Sequence, residues 1–191
     1  MTKPTNQVRI IAGQWRGNRL SVPNIEGLRP TPDRVRETLF SWLADHCPGA
    51  RVLDCFAGSG ALGFEAASRG ARQVYLVEKN QAALNYLVQQ KQRFQADHVD
   101  VRAGDVTHLM PDLPGGYTVV FIDPPYRKPE LRIQALEDLI NTGKLASGAQ
   151  IYFEWPKHEI FELPGSQLSW RRQKRAGQIQ YAIAEWSPND F

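Results

Sequence analysis

The chain has little cysteine and no long apolar run. Its 191 residues include two cysteines, Cys47 and Cys55, without a C-x-x-C motif or a neighbouring histidine cluster. This usage excludes a disulfide framework and a structural zinc site, and we expect no bound metal. No apolar stretch approaches the roughly 18 residues that cross a bilayer, and the segment "MTKPTNQVRI" lacks the apolar core of a signal peptide. We therefore expect a cytoplasmic protein that makes no membrane contact and is a monomer.

The excess of positive over negative charge is also small, since the net charge is only +3, but the charged residues are distributed unevenly. Residues 1–43 carry seven basic and three acidic residues, and the segment "RRQKR" (171–175) carries no acid. Arginine-rich clusters suit bidentate phosphate contacts, although a single cluster is more often plain solvated surface. Two clusters at opposite ends of the chain favour a nucleic-acid partner. The predicted phosphate-contacting residues are Arg9, Arg16, Arg29, Arg34, Arg36, Arg171, Arg172, Lys174 and Arg175.

The middle of the chain alternates between the two kinds of hydrophobic pattern. Strand-like runs at 51–56, 73–79, 99–105, 117–123 and 149–155 alternate with helical runs at 61–70, 80–94 and 129–143. Repeated β-α units predict a doubly wound, mostly parallel α/β sheet with helices on both faces. Two further runs, 168–174 and 179–186, are joined by a link too short for a crossover helix. The sheet should therefore have seven strands and end in an antiparallel hairpin.

The front of the chain predicts a small extension. "VRIIAG" and "NRLSVP" flank "QWRG" and predict a hairpin, inside which Trp15 either packs or stacks on a base. The following "TPDRVRETLFSWL" predicts a helix with Thr31 as N-cap and Pro32 as first residue. Its stripe of Val35, Leu39 and Trp42 leaves the neighbouring arginines 34 and 36 off the core side. We expect residues 1–45 to form an extension and residues 46–191 the main domain.

A glycine-rich loop follows the first strand of the main sheet. "DCFAGSGALG" (54–63) places Gly58, Gly60 and Gly63 in a G-x-G-x-x-G pattern between a strand and a helix. This context is required of a loop that lets a nucleotide approach the backbone closely. Glu78 ends the second strand, where it can accept from ribose hydroxyls, and Asp105 ends the third, where it can accept from an adenine amino group. The pattern predicts an adenosine-containing cofactor.

The residue before the loop separates two such cofactors. Asp54 would bring negative charge toward the pyrophosphate of a dinucleotide, which is unfavourable. S-adenosylmethionine carries a sulfonium and an ammonium cation in place of the pyrophosphate, so acidic neighbours suit it. Asp54 therefore favours S-adenosylmethionine and makes a NAD-dependent oxidoreductase the weaker alternative.

The fourth strand ends in the motif "DPPY" at 123–126. Two prolines after a strand are often only a terminator, but here they lie beside the cofactor loop. Asp123 and the Pro124 carbonyl can accept from an exocyclic amine, and the prolines fix the backbone that holds these acceptors. Tyr126 offers a face on which a base stacks. The motif predicts methyl transfer to an amine, with Asp123, Pro124 and Tyr126 as catalytic residues.

These motifs resemble those of class I exocyclic-amine methyltransferases. The front block "RIIAGQWRG…LRPTPDRVRETLFSWL" and the tail "AGQIQY" are similar to the RsmD family, which methylates N2 of one guanine in small-subunit ribosomal RNA. The resemblance implies that an assembling small ribosomal subunit or its RNA is the substrate. It also implies a cofactor site that includes Asp54, Phe56, Gly58, Gly60, Glu78 and Asp105, with Arg29, Pro30 and Thr31 over the amino-acid end.

Several alternatives stay open from the residues alone. The "DPPY" motif activates adenine N6 and cytosine N4 as well as guanine N2, on RNA or DNA, and a protein glutamine amide is chemically similar. A catalytically inactive nucleic-acid-binding module is the alternative from another class. Every acid and glycine that methyl transfer needs is present, which favours an enzyme.

Overall fold

A single sheet of seven strands, covered by helices on both faces, organises the molecule. The computed structural model describes residues 7–22, 24–25 and 31–188. The strands are β1 (Gln7–Arg9), β2 (Arg19–Ser21), β3 (Arg51–Asp54), β4 (Gln73–Glu78), β5 (Val99–Ala103), β6 (Tyr117–Ile122), β7 (Leu145–Pro156), β8 (Leu168–Ala176) and β9 (Ile179–Trp186). The α-helices are α1 (Asp33–Trp42), α2 (Ala61–Ser68), α3 (Gln81–Arg93), α4 (Val106–Leu109) and α5 (Glu130–Asn141), and a 3-10 turn spans Met110–Asp112.

The strand order of the large sheet is β5-β4-β3-β6-β7-β9-β8. The first five strands in this order are parallel, whereas β9 runs antiparallel between β7 and β8. This arrangement confirms the seven-stranded, mostly parallel sheet with a terminal hairpin. The order of connection reverses between β3 and β6, so the carboxyl ends of these two strands form the crevice where doubly wound sheets bind ligands.

The two faces of the sheet carry separate apolar clusters. One cluster joins α1, α2 and α3 to the sheet, and the other joins α4 and α5 to the opposite face. The hairpin formed by β1 and β2 contributes Val8, Ile10 and Leu20 to the first cluster. The extension therefore packs directly on the sheet's helical layer. Among the described residues, no helix has both the length and the apolar character needed to span a membrane.

Helix α1 differs from its sequence prediction at two points. It begins at Asp33, and the residue before it is Pro32, which makes no side-chain cap hydrogen bond. Thr31 as the N-cap is therefore wrong. Arg36 lies among the buried residues of the helix, with none of its surface exposed, because Phe40 extends the apolar stripe around to its side.

Other departures are small and concern segment ends. Most of the parallel strands are one or two residues shorter than predicted at their carboxyl ends, whereas β7 starts earlier, at Leu145. Helix α3 is capped by Asn80, whose side chain accepts from the N–H groups of Ala82 and Ala83. Val88 of α3 is apolar but 41% exposed. The short helix α4 was not predicted, because four residues are too few to show a helical period.

Candidate active site

One cavity lies over the carboxyl ends of β3, β4 and β6, at the crevice where the strand order reverses. It is lined by the predicted cofactor and catalytic residues Thr31, Asp54, Phe56, Gly58, Glu78, Asp105, Asp123, Pro124 and Tyr126. Gly60 is the exception, since it does not line the cavity and is the residue that precedes α2. The fold thus brings together side chains that lie far apart in the sequence. Their individual roles remain predictions.

The glycine loop needs its glycines for backbone geometry and for packing. Gly58 and Gly60 have φ values of 52° and 76°, in the left-handed region that other residues adopt at a cost. A Cβ added at Gly63 would lie 2.1 Å from Leu76 Cδ2, so the third glycine permits close contact between α2 and β4. The loop is thereby held tightly against the sheet while its backbone faces the cavity.

Glu78 is fixed at the end of β4 by two backbone N–H groups. The Gly58 N–H donates to its Oε2 at 2.8 Å, and the Asn80 N–H donates to its Oε1 at 2.7 Å. Each carboxylate oxygen keeps a second acceptor position. A carboxylate oriented in this way from the edge of a cavity suits a pair of ribose hydroxyl groups.

Asp54 is buried at the end of β3, with 2% of its surface exposed. Burial raises the pKa of its carboxyl to about 7, although N–H groups of Phe56 and Gly63 hydrogen-bond to it and act in the opposite direction. The charge of the nearby Glu78 raises the pKa further. A buried carboxylate with this pKa is poised to ionise when a cation enters the cavity.

Asp105 has a different environment from the other acids of the cavity. It caps α4 by accepting from the Thr107 N–H, and its Oδ2 lies 3.1 Å from the Lys79 ammonium. Partial burial tends to raise the pKa of Asp105, but the hydrogen bonds from Lys79 and Thr107 outweigh it and lower the pKa. Asp105 is therefore already satisfied within the protein and contributes less unpaired charge to the cavity than Asp54.

The "DPPY" segment follows β6, which pairs with β3. It therefore lies next to Asp54 and the glycine loop. Burial raises the pKa of Asp123 well above its ordinary value, and the charges of Glu154 and Asp54 raise it further, whereas Arg132 lowers it. Tyr126 is 47% exposed at the cavity mouth, and its hydroxyl donates to Glu154 Oε1 at 2.6 Å. The carboxyl and the ring thus lie on opposite ends of a rigid Pro-Pro link.

Sequence reasoning did not single out Glu154, although it lines the same cavity. It lies near the carboxyl end of β7, 4% exposed, and also accepts from the Tyr152 hydroxyl at 2.9 Å. The one signal that the sequence offers is a single acid within the apolar run "IYFEW".

Thr31 is held over the cavity by a buried arginine. The Arg36 Nε donates to the Thr31 carbonyl at 3.2 Å, and its Nη2 donates to the Arg9 carbonyl at 2.9 Å. Arg36 also forms an ion pair with Glu65 of α2 at 3.5 Å. The prediction that Arg36 binds phosphate is wrong, because the guanidinium is fully buried and bound to protein groups. Arg29 and Pro30 lie outside the described residues.

The remaining predicted RNA contacts are all exposed. They are Arg9, Arg16, Arg34, Arg171, Arg172, Lys174 and Arg175. Arg171 pairs with Glu185, and the bulge that follows Trp170 shifts the register of β8. Trp15, by contrast, is 7% exposed and stacks on Phe94 at 4.8 Å between ring centroids. The interpretation of Trp15 as a base-stacking residue is therefore excluded in favour of hairpin packing.

Comparison with solved structures defines the class of protein first. The fold matches a putative methyltransferase from Escherichia coli with a TM-score of 0.88 and 38% identity, over 95% of this chain and 99% of that one. It also matches a putative methylase from Haemophilus influenzae with a TM-score of 0.81 and 33% identity, over 96% of this chain and all of that one. The chain has the fold of the methyltransferases.

Sequence comparison then gives the family. A family model described as "Conserved hypothetical protein 95" matches residues 8–185. The chain is 42% identical to "Ribosomal RNA small subunit methyltransferase D" of Escherichia coli K12, over 96% of this chain and 94% of that protein. It is 38% identical to the protein of that name from Haemophilus influenzae, over 93% of each chain. The chain belongs to this family, the RsmD family, as its sequence motifs indicate.

Proposed function

We propose that the protein transfers a methyl group from S-adenosylmethionine to the exocyclic N2 amine of one guanine in small-subunit ribosomal RNA. The observation that carries the proposal is the cavity in which a glycine loop and Glu78 meet the "DPPY" segment. Two of the family members named above carry ribosomal RNA small-subunit methyltransferase in their names. The cavity supplies a chemical reason for the same activity here.

The residues of the cavity fit S-adenosylmethionine better than a phosphate-containing cofactor. Asp54, Glu78 and Asp123 bring three carboxyl groups to its wall, and the one lysine there, Lys79, is paired with Asp105. Such a wall repels a pyrophosphate and attracts a cation. When bound, the cofactor supplies an electrophilic methyl group on a sulfonium centre.

Each end of the cofactor has its own contacts in this proposal. Glu78 accepts from the ribose hydroxyls, while the edge formed by Phe56 and Asp105 receives the adenine. Asp54 faces the cationic part, and Thr31 covers the amino-acid end together with Arg29 and Pro30, as family resemblance implies. The Arg36 contact with the Thr31 carbonyl supports this covering role of the extension, residues 1–45, over the main domain, residues 46–191.

Activation of the amine belongs to Asp123 and Pro124. The lone pair of an exocyclic amine is delocalised into the base, and two acceptors aimed at its N–H groups favour the pyramidal geometry that releases it. The prolines fix φ so that the acceptors need no rearrangement when the base arrives. Because its pKa is raised, an ionised Asp123 is also a stronger base than an ordinary aspartate for the proton that leaves the amine.

Binding of RNA is assigned to the exposed arginines and to Tyr126. The ring of Tyr126 stacks on the extruded base, which is worth about 1–3 kcal/mol. Arg9, Arg16 and Arg34 from the extension, and Arg171, Arg172, Lys174 and Arg175 from β8, contact phosphates. Such contacts set position and salt dependence rather than sequence choice. A chain with this limited basic surface suits a preformed RNA or ribonucleoprotein shape.

The decisive test is methyl transfer to small ribosomal subunits and naked ribosomal RNA from cells that lack the protein. We expect the purified protein with S-adenosylmethionine to restore one N2-methylguanosine, located by mass mapping. Methylation of adenine N6 or cytosine N4 in its place would refute the choice of base. Transfer to neither RNA nor subunits, in a folded protein that binds the cofactor, would refute the function.

A further inference from the structure

Glu154 is a buried carboxyl group that the proposed activation of the amine does not use. Both of its oxygens accept from tyrosine hydroxyls, Oε1 from Tyr126 at 2.6 Å and Oε2 from Tyr152 at 2.9 Å. Its neighbours in β7, Phe153 and Trp155, are buried apolar side chains of the sheet. The carboxyl group therefore occupies an apolar strand at the point where that strand reaches the cavity.

Packing alone does not explain an acid at this position. A buried carboxyl group is costly unless charged or strongly polar partners compensate it, and an apolar side chain of similar volume packs without that cost. The two partners of Glu154 are neutral hydroxyl groups. Burial raises the pKa of Glu154 despite the opposing effect of these hydrogen bonds. Such a free-energy cost of burial is expected for a carboxyl group that serves a functional site.

The contact with Tyr126 gives Glu154 a specific task. Tyr126 is half-exposed at the mouth of the cavity, and the hydrogen bond ties its hydroxyl end to the rigid central region of the sheet. A ring that is tethered at one end loses rotational freedom before a base arrives, so stacking then costs less entropy. On its other side, Glu154 shares the end of the cavity with Asp123.

We propose that Glu154 is a positioning residue for methyl transfer: it holds the Tyr126 ring in the orientation on which the target base stacks, and it places a second carboxyl group beside Asp123. This role rests on the proposed function, because it needs a base and an amine in the cavity. It assigns to β7 a part in catalysis that the "DPPY" motif does not reveal.

The arrangement has a consequence for the pH dependence of the reaction. The charged groups that face Asp123 are Glu154 from β7, Asp54 from β3 and Arg132 from α5. Glu154 in turn faces Asp123 and the neutral hydroxyls of Tyr126 and Tyr152. Removing the Glu154 charge takes away a repulsion that disfavours ionised Asp123. The pKa of Asp123 then falls, and the acid limb of the pH profile moves to lower pH.

The test is steady-state methylation of ribosomal RNA by Glu154→Leu, which has no acceptor for the Tyr126 hydroxyl, by Tyr126→Phe, by the double variant and by the control Glu162→Leu, an exposed acid in the loop after β7. We expect each single variant to raise KM for RNA about tenfold, the scale of one charge-assisted hydrogen bond. The double variant should be no worse than either single variant, because both remove the same hydrogen bond. Cofactor affinity stays at the wild-type value, and the acid limb shifts only where Glu154 is replaced.

Three outcomes would overturn the inference while leaving the proposed function intact. They are an active wild type with a Glu154→Leu variant of unchanged KM, additive effects in the double variant, and an acid limb that does not move. If Glu154→Leu does not fold, an unchanged KM in Tyr126→Phe overturns the tether by itself, and a raised KM supports it. A wild type that transfers no methyl group to ribosomal RNA refutes the function and the inference together.

Discussion

Two ionic clusters differ in what surrounds their carboxyl groups: one is centred on Glu65 of α2, and the other lies at the strand ends. Glu65 on α2 is fully buried and accepts from the Ile11 and Ala12 N–H groups and from the Arg69 guanidinium at 2.7 Å. Arg36 forms a second ion pair with Glu65, with 3.5 Å between Arg36 Nη1 and Glu65 Oε2. At the strand ends, Asp54 accepts from N–H groups and Glu154 from hydroxyls, and burial raises the pKa of Asp54, Asp123 and Glu154.

This difference in surroundings distinguishes Glu65, whose charge supports the fold, from the strand-end acids, which are proposed to support the reaction. Two cations and two N–H groups compensate Glu65, so it fastens the extension to α2. A Cβ added at Gly13 would lie 1.8 Å from the Ser68 carbonyl oxygen, which shows how closely the hairpin approaches that helix. The strand-end acids repel one another, and a cationic ligand relieves that repulsion. Compensation therefore predicts that one cluster supports the fold and the other supports chemistry.

The largest expected effect comes from breaking the compensated cluster. Glu65→Gln removes the buried anion that Arg36 and Arg69 share and leaves Arg36 with the half-exposed Asp33, so we expect the free energy of unfolding to fall by about 3–5 kcal/mol. Urea unfolding of this variant and of Glu37→Gln, an exposed acid on α1, measures the difference. A decrease below about 1 kcal/mol in Glu65→Gln, equal to that of the control, would show that the cluster does not anchor the extension.

Asp123→Ala, in the cluster at the strand ends, should instead reduce activity and leave stability nearly unchanged. Methyl transfer should fall by about 100- to 1,000-fold, the scale for losing one preorganised group at a reacting centre. Cofactor binding and the free energy of unfolding should change little, because the carboxyl group is repelled by Glu154 and Asp54. Single-turnover methylation, cofactor titration and urea unfolding measure the three quantities, with exposed Asp45→Ala as control. Near-normal turnover would contradict the role of Asp123 in activating the amine.

The pH dependence of cofactor affinity tests the role of Asp54 in the cluster at the strand ends. Its pKa of about 7 means that, below pH 7, the carboxyl group is increasingly protonated and must release its proton to face a cation. We expect affinity for S-adenosylmethionine to rise with pH up to about 7, by at most about tenfold per pH unit, and then to level off. Calorimetric titration between about pH 5.5 and 8 measures the effect. Asp54→Asn should bind more weakly and lack this part of the pH dependence, whereas exposed Asp97→Asn should retain it.

The same Asp54 carboxyl group affects stability in the ligand-free protein. Its folded pKa is raised above the unfolded value of 3.8, so the folded state holds this proton more tightly. Its contribution to stability is therefore fully present below about pH 4 and decreases as the pH rises toward 7. Urea unfolding across this window should show a steeper decline for the wild type than for Asp54→Asn. Equal slopes would show that Asp54 is not buried as described.

The sequence was sufficient for the sheet, the crevice and most of the cavity wall, because these depend on local pattern. Alternating apolar runs define β3 to β9, and chemistry at the strand ends, such as Asp54 and Glu78, follows from the parallel topology. The sequence was insufficient where the burial or the contacts of a residue depend on a partner far away along the chain. Arg36 looks like surface charge on its own helix, but it is buried because two distant groups, the Arg9 carbonyl and Glu65, compensate it in addition to the nearby Asp33. Glu154 is similar, since its tyrosine partners meet it only in the folded sheet.

Exposed cations on β8 differ in the face of the sheet on which they lie. Arg172 pairs across the sheet with Ile183 and Lys174 with Tyr181, so both exposed side chains project on the face that carries α1 and Arg34. Arg175, one residue away, projects to the other face, where its Nε donates to Gln180. We therefore expect Arg172 and Lys174 to contact the same RNA backbone that is proposed to contact Arg34.

Replacing Arg172 and Lys174 by Ala gives the smallest predicted effect, because exposed cations have little to compensate in the free protein. RNA binding should weaken several-fold, and the salt slope should fall by about 0.7 for each phosphate that these side chains no longer neutralise. Fluorescence titration at several salt concentrations measures the slope, and the control is Arg72→Ala, an exposed arginine just before β4 with no proposed contact to RNA. An unchanged slope in the double variant, or an equal change in the control, would remove this face of β8 from the RNA-binding surface.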